Sequence, residues 1–202
     1  MDYKVHRWLI IMKVRKFKLP LSVRSTAVRV FNLIADDLEK YRLQNDDLVM
    51  ISIMVACKCE DVQGGIDSML HRLGFDRRME LVGYESMILK QLNYNFYFSS
   101  PYTKVYAILV ILQERELLKI NNTPNEDSIA NDLDQIWDRA VENIDYILCL
   151  DNRNCNEIEI AYAALEFPKE IFKSLSFKYS EANLDNLNTN INILKEELSK
   201  YC

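Results

Sequence analysis

Glycine and proline are scarce in this chain of 202 residues, which contains four of each. Tight turns depend on these two residues, so a sheet-rich fold with many hairpins is not expected. Apolar runs are short as well, and none reaches the ~18 residues that a membrane-spanning helix requires. The hydrophobic residues, 49% of the chain, recur instead at helical spacing. The sequence therefore predicts an all-α, soluble protein with no membrane partner.

Histidine and cysteine, the usual ligands of zinc, are also few. The two histidines, His6 and His71, leave little from which to build a metal centre or a histidine-based catalytic triad. The cysteines form no CxxC pair and their number is odd, which favours neither a zinc site nor a secreted disulfide framework. The N-terminus lacks the small-residue cleavage site of a secretory signal. We therefore expect no metal and a reducing compartment, cytosol or nucleus. The cysteines are Cys57, Cys59, Cys149, Cys155 and Cys202.

No recurring catalytic arrangement is present in the sequence. A glycine-rich phosphate loop is missing, since Gly64 and Gly65 stand alone and are typical of a turn after a helix. Acidic residues are plentiful, 30 in all, but no pocket-forming motif accompanies them. We expect no catalytic residues, no cofactor and no enzymatic activity of the chain's own.

Positive charge is concentrated at the start of the chain. Residues 1–35 carry eight Lys or Arg against one acid, Asp2, which gives +7 and leaves −12 for the remainder of a chain whose net charge is −5. Such a stretch can bind nucleic acid or direct import into mitochondria. More often it is the solvent side of a first helix. We favour that interpretation, with an apolar side made of Val5, Trp8, Leu9 and Met12.

Helical periodicity divides the chain into two groups of five helices on either side of the extended stretch NYNFYFSSP. We assign the first group to residues 1–98 and the second to residues 99–202, as two bundles in tandem. The first group is predicted at about 3–16, from 22 or 25 to about 37 or 40, 45–61, 66–73 and 77–92. The second is predicted at about 101–118, 128–148, 157–167, a short helix ending near 175, and 184–201.

Several residues within these helices have a predicted place. Ser22 or Ser25 is expected to cap the second helix, and Asn45-Asp46 the third. Gly83 lies inside the fifth helix, where a neighbouring helix is expected to approach closely. The inward residues are expected to be Ala27, Val30, Phe31 and Ile34 in the second helix, Tyr102, Val105, Leu109 and Leu112 in the sixth, and Ile129, Leu133, Ile136, Trp137, Ala140, Ile144 and Ile147 in the seventh.

Two charged residues lie where apolar ones are expected. The run Leu48–Cys57 (LVMISIMVAC) has one polar side chain, Ser52, and is followed at once by Lys58. Glu85 falls on one helical stripe with Leu81, Ile88 and Leu92. A carboxylate in an apolar face needs a partner, because desolvation costs several kcal/mol. Either Lys58 and Glu85 pair with each other, or both lie on a surface that binds a second protein.

These segments resemble the cyclin family. The resemblance rests on VMISIMVACKCED and YESMILKQLNYNFYFSSPY, with support from LPLSVRSTAVRVFNLI and DLDQIWDRAVENIDYILCL, and it covers about residues 3–175. It implies two tandem five-helix cyclin-fold bundles, of which residues 1–98 would be the kinase-binding cyclin box. Among cyclins the chain is most similar to the transcriptional group, cyclin H first and cyclin C next.

The resemblance also implies a partner and a binding surface. In cyclins, a lysine and a glutamate bracket one helix of a cyclin-dependent kinase; here these would be Lys58 and Glu85. The matching apolar contacts would be Cys59, Leu89, Tyr94 and Phe96. The cyclin would activate the kinase without transferring phosphate itself. A cyclin H-like role further implies a nuclear location, a RING-finger assembly subunit, and the transcription factor TFIIH.

An alternative of a different class is a nucleic-acid-binding transcription factor of the same two-bundle fold, resembling TFIIB. Such a protein would carry a zinc ribbon and basic faces on both halves. The sequence shows neither, and its acidic second half would repel phosphates. Only the basic N-terminal stretch favours this alternative.

Overall fold

The computed structural model describes residues 3–35, 45–62, 78–95, 97–114, 126–150 and 154–198. All regular secondary structure in these ranges is α-helical, which confirms the predicted fold class. The chain divides into two units, Met1–Phe98 and Ser99–Cys202. None of the described helices is both long enough and apolar enough to cross a membrane.

The first unit is built around a buried helix. Its described helices are α1 (Lys4–Lys16), α2 (Leu21–Ala35), α3 (Asn45–Cys59) and α4 (Arg78–Gln91). All ten residues from Leu48 to Cys57 are buried, as their composition predicted. The polar one, Ser52, donates its hydroxyl proton to the Leu48 carbonyl at 2.7 Å. Helix α2 packs along α3, and α1 contacts both. The predicted helix at 66–73 lies outside the described residues.

Helix α1 buries a different face from the one we predicted. Trp8 is buried as expected, but Leu9 is 37% exposed, and Val5 and Met12 are only partly covered. The helix has apolar residues on nearly every side, so its periodicity does not single out one stripe. The basic residues also do not all face solvent, because Arg7 is buried and its Nε donates to Asn32 Oδ1 at 2.7 Å. The buried residues of α1 are Arg7, Trp8, Ile10, Ile11 and Val14.

Helix α2 follows the prediction in its core residues but not at its start. The helix begins at Leu21, directly after Pro20, so neither Ser22 nor Ser25 caps it. The Pro20 carbonyl accepts from Val23 N at 3.1 Å, and Ser25 donates to the Ser22 carbonyl from within the helix. Proline suits this place, since its fixed φ prepares the first turn. The predicted inward residues Ala27, Val30, Phe31 and Ile34 are all buried.

The prediction for Gly83 is wrong. A Cβ built on this residue would have no neighbouring atom within 4 Å, and the residue is exposed on α4. No helix among the described residues approaches it, and its backbone needs no left-handed conformation. Glycine here only adds freedom to the unfolded chain.

We therefore expect Gly83→Ala to stabilise the first unit by about 1 kcal/mol, the propensity difference between the two residues inside a helix. Urea denaturation followed by circular dichroism measures this gain. Ser86→Ala, at an exposed position of the same helix, should give a smaller increase, because serine is a better helix former than glycine. A loss of stability in Gly83→Ala would mean that the position does require glycine.

The second unit is also built around a buried helix. Its helices are α5 (Pro101–Glu114), α6 (Glu126–Cys149), α7 (Glu157–Leu165), α8 (Lys169–Lys173) and α9 (Glu181–Leu198). Helix α7 is buried from Glu159 to Leu165, and α5, α6 and α9 pack against it. The predicted inward residues that are buried are Tyr102, Val105, Leu109, Leu112, Ala140, Ile144 and Ile147.

The first half of α6 is less covered than predicted. Leu133, Ile136 and Trp137 are partly exposed, and the side chain of Ile129 lies outside the described residues. Further along α6, Asp145 is fully buried and accepts a hydrogen bond from the Tyr102 hydroxyl at 2.5 Å. The helix therefore enters the core of the second unit through its C-terminal half.

Candidate functional site

The helix that carries Lys58 ends in a defined turn. Val62 N donates to the Cys57 carbonyl at 2.9 Å, and Asp61 N donates to the Lys58 carbonyl at 3.2 Å. This is a Schellman motif, in which one residue adopts a left-handed conformation. Asp61 takes that place with a φ of 51°. Lys58 thus lies in the last turn of α3, where its charge also suits the negative end of the helix dipole.

The helix that carries Glu85 ends in the same way. Tyr94 N donates to the Leu89 carbonyl at 3.0 Å, and Asn93 N donates to the Lys90 carbonyl at 2.9 Å. Asn93 has a φ of 50°, and asparagine tolerates this conformation better than most residues. The motif places Tyr94 at a fixed position directly beyond the end of α4.

The structure brings Lys58 and Glu85 together. The Lys58 Nζ lies 2.5 Å from Glu85 Oε1, although the two residues are 27 positions apart. The exposed fraction is 47% for the Lys58 side chain and 11% for the Glu85 side chain. The apolar stripe of α4 is present as predicted, with Ile88 and Leu92 buried beside Glu85; the Leu81 side chain lies outside the described residues. The carboxylate thus has its required partner, and the ammonium remains accessible from outside.

Two contacts to α2 hold the ends of these helices. Thr26 Oγ1, buried on α2, donates to Glu60 Oε1 at 2.5 Å, directly after the end of α3. Gln91 Nε2, at the end of α4, donates to the Leu33 carbonyl at 3.3 Å. The sequence did not reveal either contact. For the contact between Thr26 and Glu60, the only sequence signal was a threonine on the buried face of α2, whose hydroxyl needs a hydrogen-bond partner.

The remaining predicted contact residues lie around the pair. Cys59 is the last residue of α3 and is partly exposed. Leu89, one turn after Glu85 on the same side of α4, is also partly exposed, and Tyr94 is 56% exposed. Phe96 lies outside the described residues. Of the predicted site residues, the structure joins Lys58 and Glu85 directly; Cys59 lies next to Lys58 in the chain, and Leu89 and Tyr94 follow Glu85 along α4 and the turn after it.

The two cysteines near the pair are poor ligands for a metal. Burial raises the pKa of Cys57 to about 11, and the nearby carboxylate of Glu60 adds to the increase. The pKa of Cys59 is likewise raised to about 11, first by burial and then by Glu60. Both thiols are therefore protonated at neutral pH, whereas metal binding uses the thiolate. Among the described residues, no three of the His, Cys, Asp and Glu side chains come together as a metal site.

Solved structures with the same fold provide a comparison. A chain of the yeast TFIIK (Kin28/Ccl1/Tfb3) complex matches with a TM-score of 0.69 and 18% identity, over 95% of this chain and 83% of that chain. A chain of the CAK complex of Chaetomium thermophilum bound to ATP-γ-S matches with a TM-score of 0.62 and 14% identity. That match covers 98% of this chain, which spans 62% of the length of the matched chain. No protein-family model and no curated protein sequence matches. At these identities the likeness concerns the fold alone, and the described residues share the all-α fold of the two matched chains.

Proposed function

We propose that this protein is a cyclin H-like regulatory subunit that binds and activates a cyclin-dependent kinase. The observation that carries the proposal is the Lys58–Glu85 pair. A half-exposed cation in the last turn of α3 and a largely buried anion near the middle of α4 lie 2.5 Å apart. The fold shared with a chain of the TFIIK complex supports the same conclusion.

The pair suits a helix of the kinase as its ligand. An ammonium group has three donors, and Glu85 engages one of them, so the others can reach backbone carbonyl groups at one end of a foreign helix. The second carboxylate oxygen can accept from a backbone N–H group of the same foreign segment. Leu89, one turn after Glu85, and Tyr94, directly beyond the end of α4, are both accessible and offer apolar surface for the flank of the helix. Cys59, a small residue, leaves room beside Lys58.

Activation follows from selective binding. We infer that the kinase alone holds its regulatory helix in an outward position, which breaks the Lys–Glu ion pair that positions the phosphates of ATP. A rigid surface that accepts only the inward position shifts the population toward the active state. A change from about 1% to about 99% active requires roughly 5.5 kcal/mol of preference. Burial of apolar surface supplies most of this energy, and the charged pair fixes the register of the kinase helix.

The compared complexes suggest the setting of this activity. The yeast complex contains three components, Kin28, Ccl1 and Tfb3. We infer that this protein likewise joins a kinase and a RING-finger assembly subunit, in a TFIIH-associated complex in the nucleus. The TFIIB-like alternative stays less favoured, because the second unit carries 18 acidic and ten basic residues, a charge of −8 that repels phosphates.

The direct test is affinity purification of the protein from its own organism, followed by mass spectrometry and a kinase assay. We expect one cyclin-dependent kinase in near-stoichiometric amount. Adding the purified protein to that kinase should raise phosphorylation of a peptide substrate by about 100-fold, in keeping with the population shift above. A kinase that co-purifies but is not activated would refute the activator role. Failure to retain any cyclin-dependent kinase would refute the whole proposal.

A further inference from the structure

The outer face of α5, in the second unit, carries apolar side chains although it is exposed. The exposed residues of α5 are Thr103, Tyr106, Ala107, Val110, Gln113 and Glu114, and the charged one of these is the last residue of the helix. Tyr106 is 62% exposed and Val110, one turn later on the same side, is 36% exposed. The opposite side of α5 is fully occupied by the core through Tyr102, Val105 and Leu109.

Helix α6 continues this apolar face with an aromatic residue. The rings of Tyr106 and Trp137 meet edge to face, with centroids 6.2 Å apart and an interplanar angle of 86°. Trp137 is only partly buried. We call the surface made by Tyr106, Val110 and Trp137 the aromatic face. Exposed aromatic and aliphatic side chains that are contiguous are typical of interaction sites rather than of ordinary solvent-facing helices.

A row of carboxylates borders the aromatic face. Asp134, Asp138 and Glu142 are exposed and succeed one another at intervals of four residues, so they form one stripe along α6. Asp134 lies one turn before Trp137, and Asp138 directly follows it. The basic residues on these two helices are Arg139, which is exposed and directly follows Asp138, and Lys104, which is partly covered. Over its whole length α6 contains seven acidic residues and one basic residue.

We propose that the aromatic face binds a basic amphipathic helix of another protein. The aromatic and aliphatic side chains would receive the apolar side of that helix, and the carboxylate stripe would pair with its lysines and arginines. The charge selects this occupant, because an acidic or a nucleic acid ligand would be repelled by the stripe. This surface belongs to the second unit, whereas the residues that we assign to the kinase, Lys58 and Glu85, belong to the first.

Trp137 provides a built-in reporter for the experiment. The chain has two tryptophans, and the other one, Trp8, is buried in the first unit. A ligand on the aromatic face should therefore shift the fluorescence of Trp137 to shorter wavelength. The probe is a synthetic helix of about 14 residues, roughly 20 Å long, made of leucine and lysine at helical spacing. Its counterpart carries glutamate in place of every lysine.

We expect the lysine probe to bind the full chain at least about tenfold more tightly than the glutamate probe. Tyr106→Ala and the double variant Asp134→Asn with Asp138→Asn should each weaken binding by about tenfold. Affinity should also fall as salt is raised from about 0.01 M to about 0.15 M, since the screening length shrinks from about 30 Å to about 8 Å. Ile193→Ala, at another exposed apolar residue of the second unit, should leave binding unchanged.

Three results would overturn the proposal. Equal affinity for the lysine and the glutamate probes would show that the aromatic face binds apolar side chains without selecting for positive charge. Binding that survives Tyr106→Ala would place the probe elsewhere on the protein, provided that the variant keeps its helical circular dichroism. Concentration-dependent dimerisation in sedimentation, lost in Tyr106→Ala, would mean that a second copy of this chain occupies the aromatic face.

Discussion

Lys58→Glu is expected to lower the affinity for the cyclin-dependent kinase by at least about 30-fold. The substitution places a second carboxylate against Glu85, at the point where the wild-type atoms are 2.5 Å apart. Loss of one member of a charge pair at an interface costs about 2–5 kcal/mol, and each 1.4 kcal/mol is a factor of ten. Titration of the immobilised kinase with the purified variant measures the effect, and circular dichroism checks that the helices remain.

Two further variants separate binding from folding. Lys90→Glu makes the same change at an exposed lysine in the last turn of α4, away from the pair, and should keep normal affinity. The combined variant Lys58→Glu with Glu85→Lys restores opposite charges. It should recover stability against urea but not kinase binding, because the foreign helix then meets the charges in reversed order. Full binding by Lys58→Glu, in a protein that does activate its kinase, would refute the assigned interface and leave the function standing.

The sequence predicted those parts of the fold in which the types of residue present are compatible with only one arrangement. A run of ten residues with Ser52 as its only polar member can only be buried on all sides, and Leu48–Cys57 is. The stripe of Ile88 and Leu92 likewise fixed the inner side of α4. In α1 the apolar residues surround the helix, so the buried side depended on where α2 lies and on the Asn32 side chain that receives Arg7.

The sequence predicted which types of side chain the candidate site requires, but not which residues come together in space to form it. An acid on an apolar stripe requires a cation, and the sequence therefore predicted that Glu85 has a positively charged partner. It could not choose between Lys58 and a foreign residue, because that choice depends on how α3 and α4 pack. Gly83 was misjudged for the same reason. The space around a glycine depends on the tertiary structure. Here no neighbouring atom lies within 4 Å of the position that a Cβ on Gly83 would take.

Glu159 is a buried acid that stabilises the protein's own fold, in contrast to Glu85, which we assign to the binding of a partner. This residue is 3% exposed, at the start of α7, and both of its oxygens accept hydrogen bonds. Oε2 accepts from Asn156 N at 3.0 Å, while the Asn156 side chain caps α7 in return. Oε1 accepts from Ser180 N at 2.8 Å, and Asn183 Nδ2 donates to Oε2 at 3.1 Å. A single carboxylate thus ties the first turn of α7 to the start of α9.

Removal of this carboxylate should therefore destabilise the second unit strongly. We expect Glu159→Ala to lower the free energy of unfolding by roughly 3 kcal/mol, because it removes a buried acceptor and leaves three donors, two of them partly buried, without it. For a chain of this length that corresponds to a Tm lower by roughly 6–12 °C. Hydrogen exchange should also quicken at Ser180 and Leu184, whose amides lie at the start of α9. Glu159→Gln, which keeps one oxygen acceptor, should lose less, and Glu142→Ala, at an exposed position of α6, should lose almost nothing. If Glu159→Ala melted like the wild type, packing of Leu184, Leu187 and Ile191 alone would be holding α9 in place.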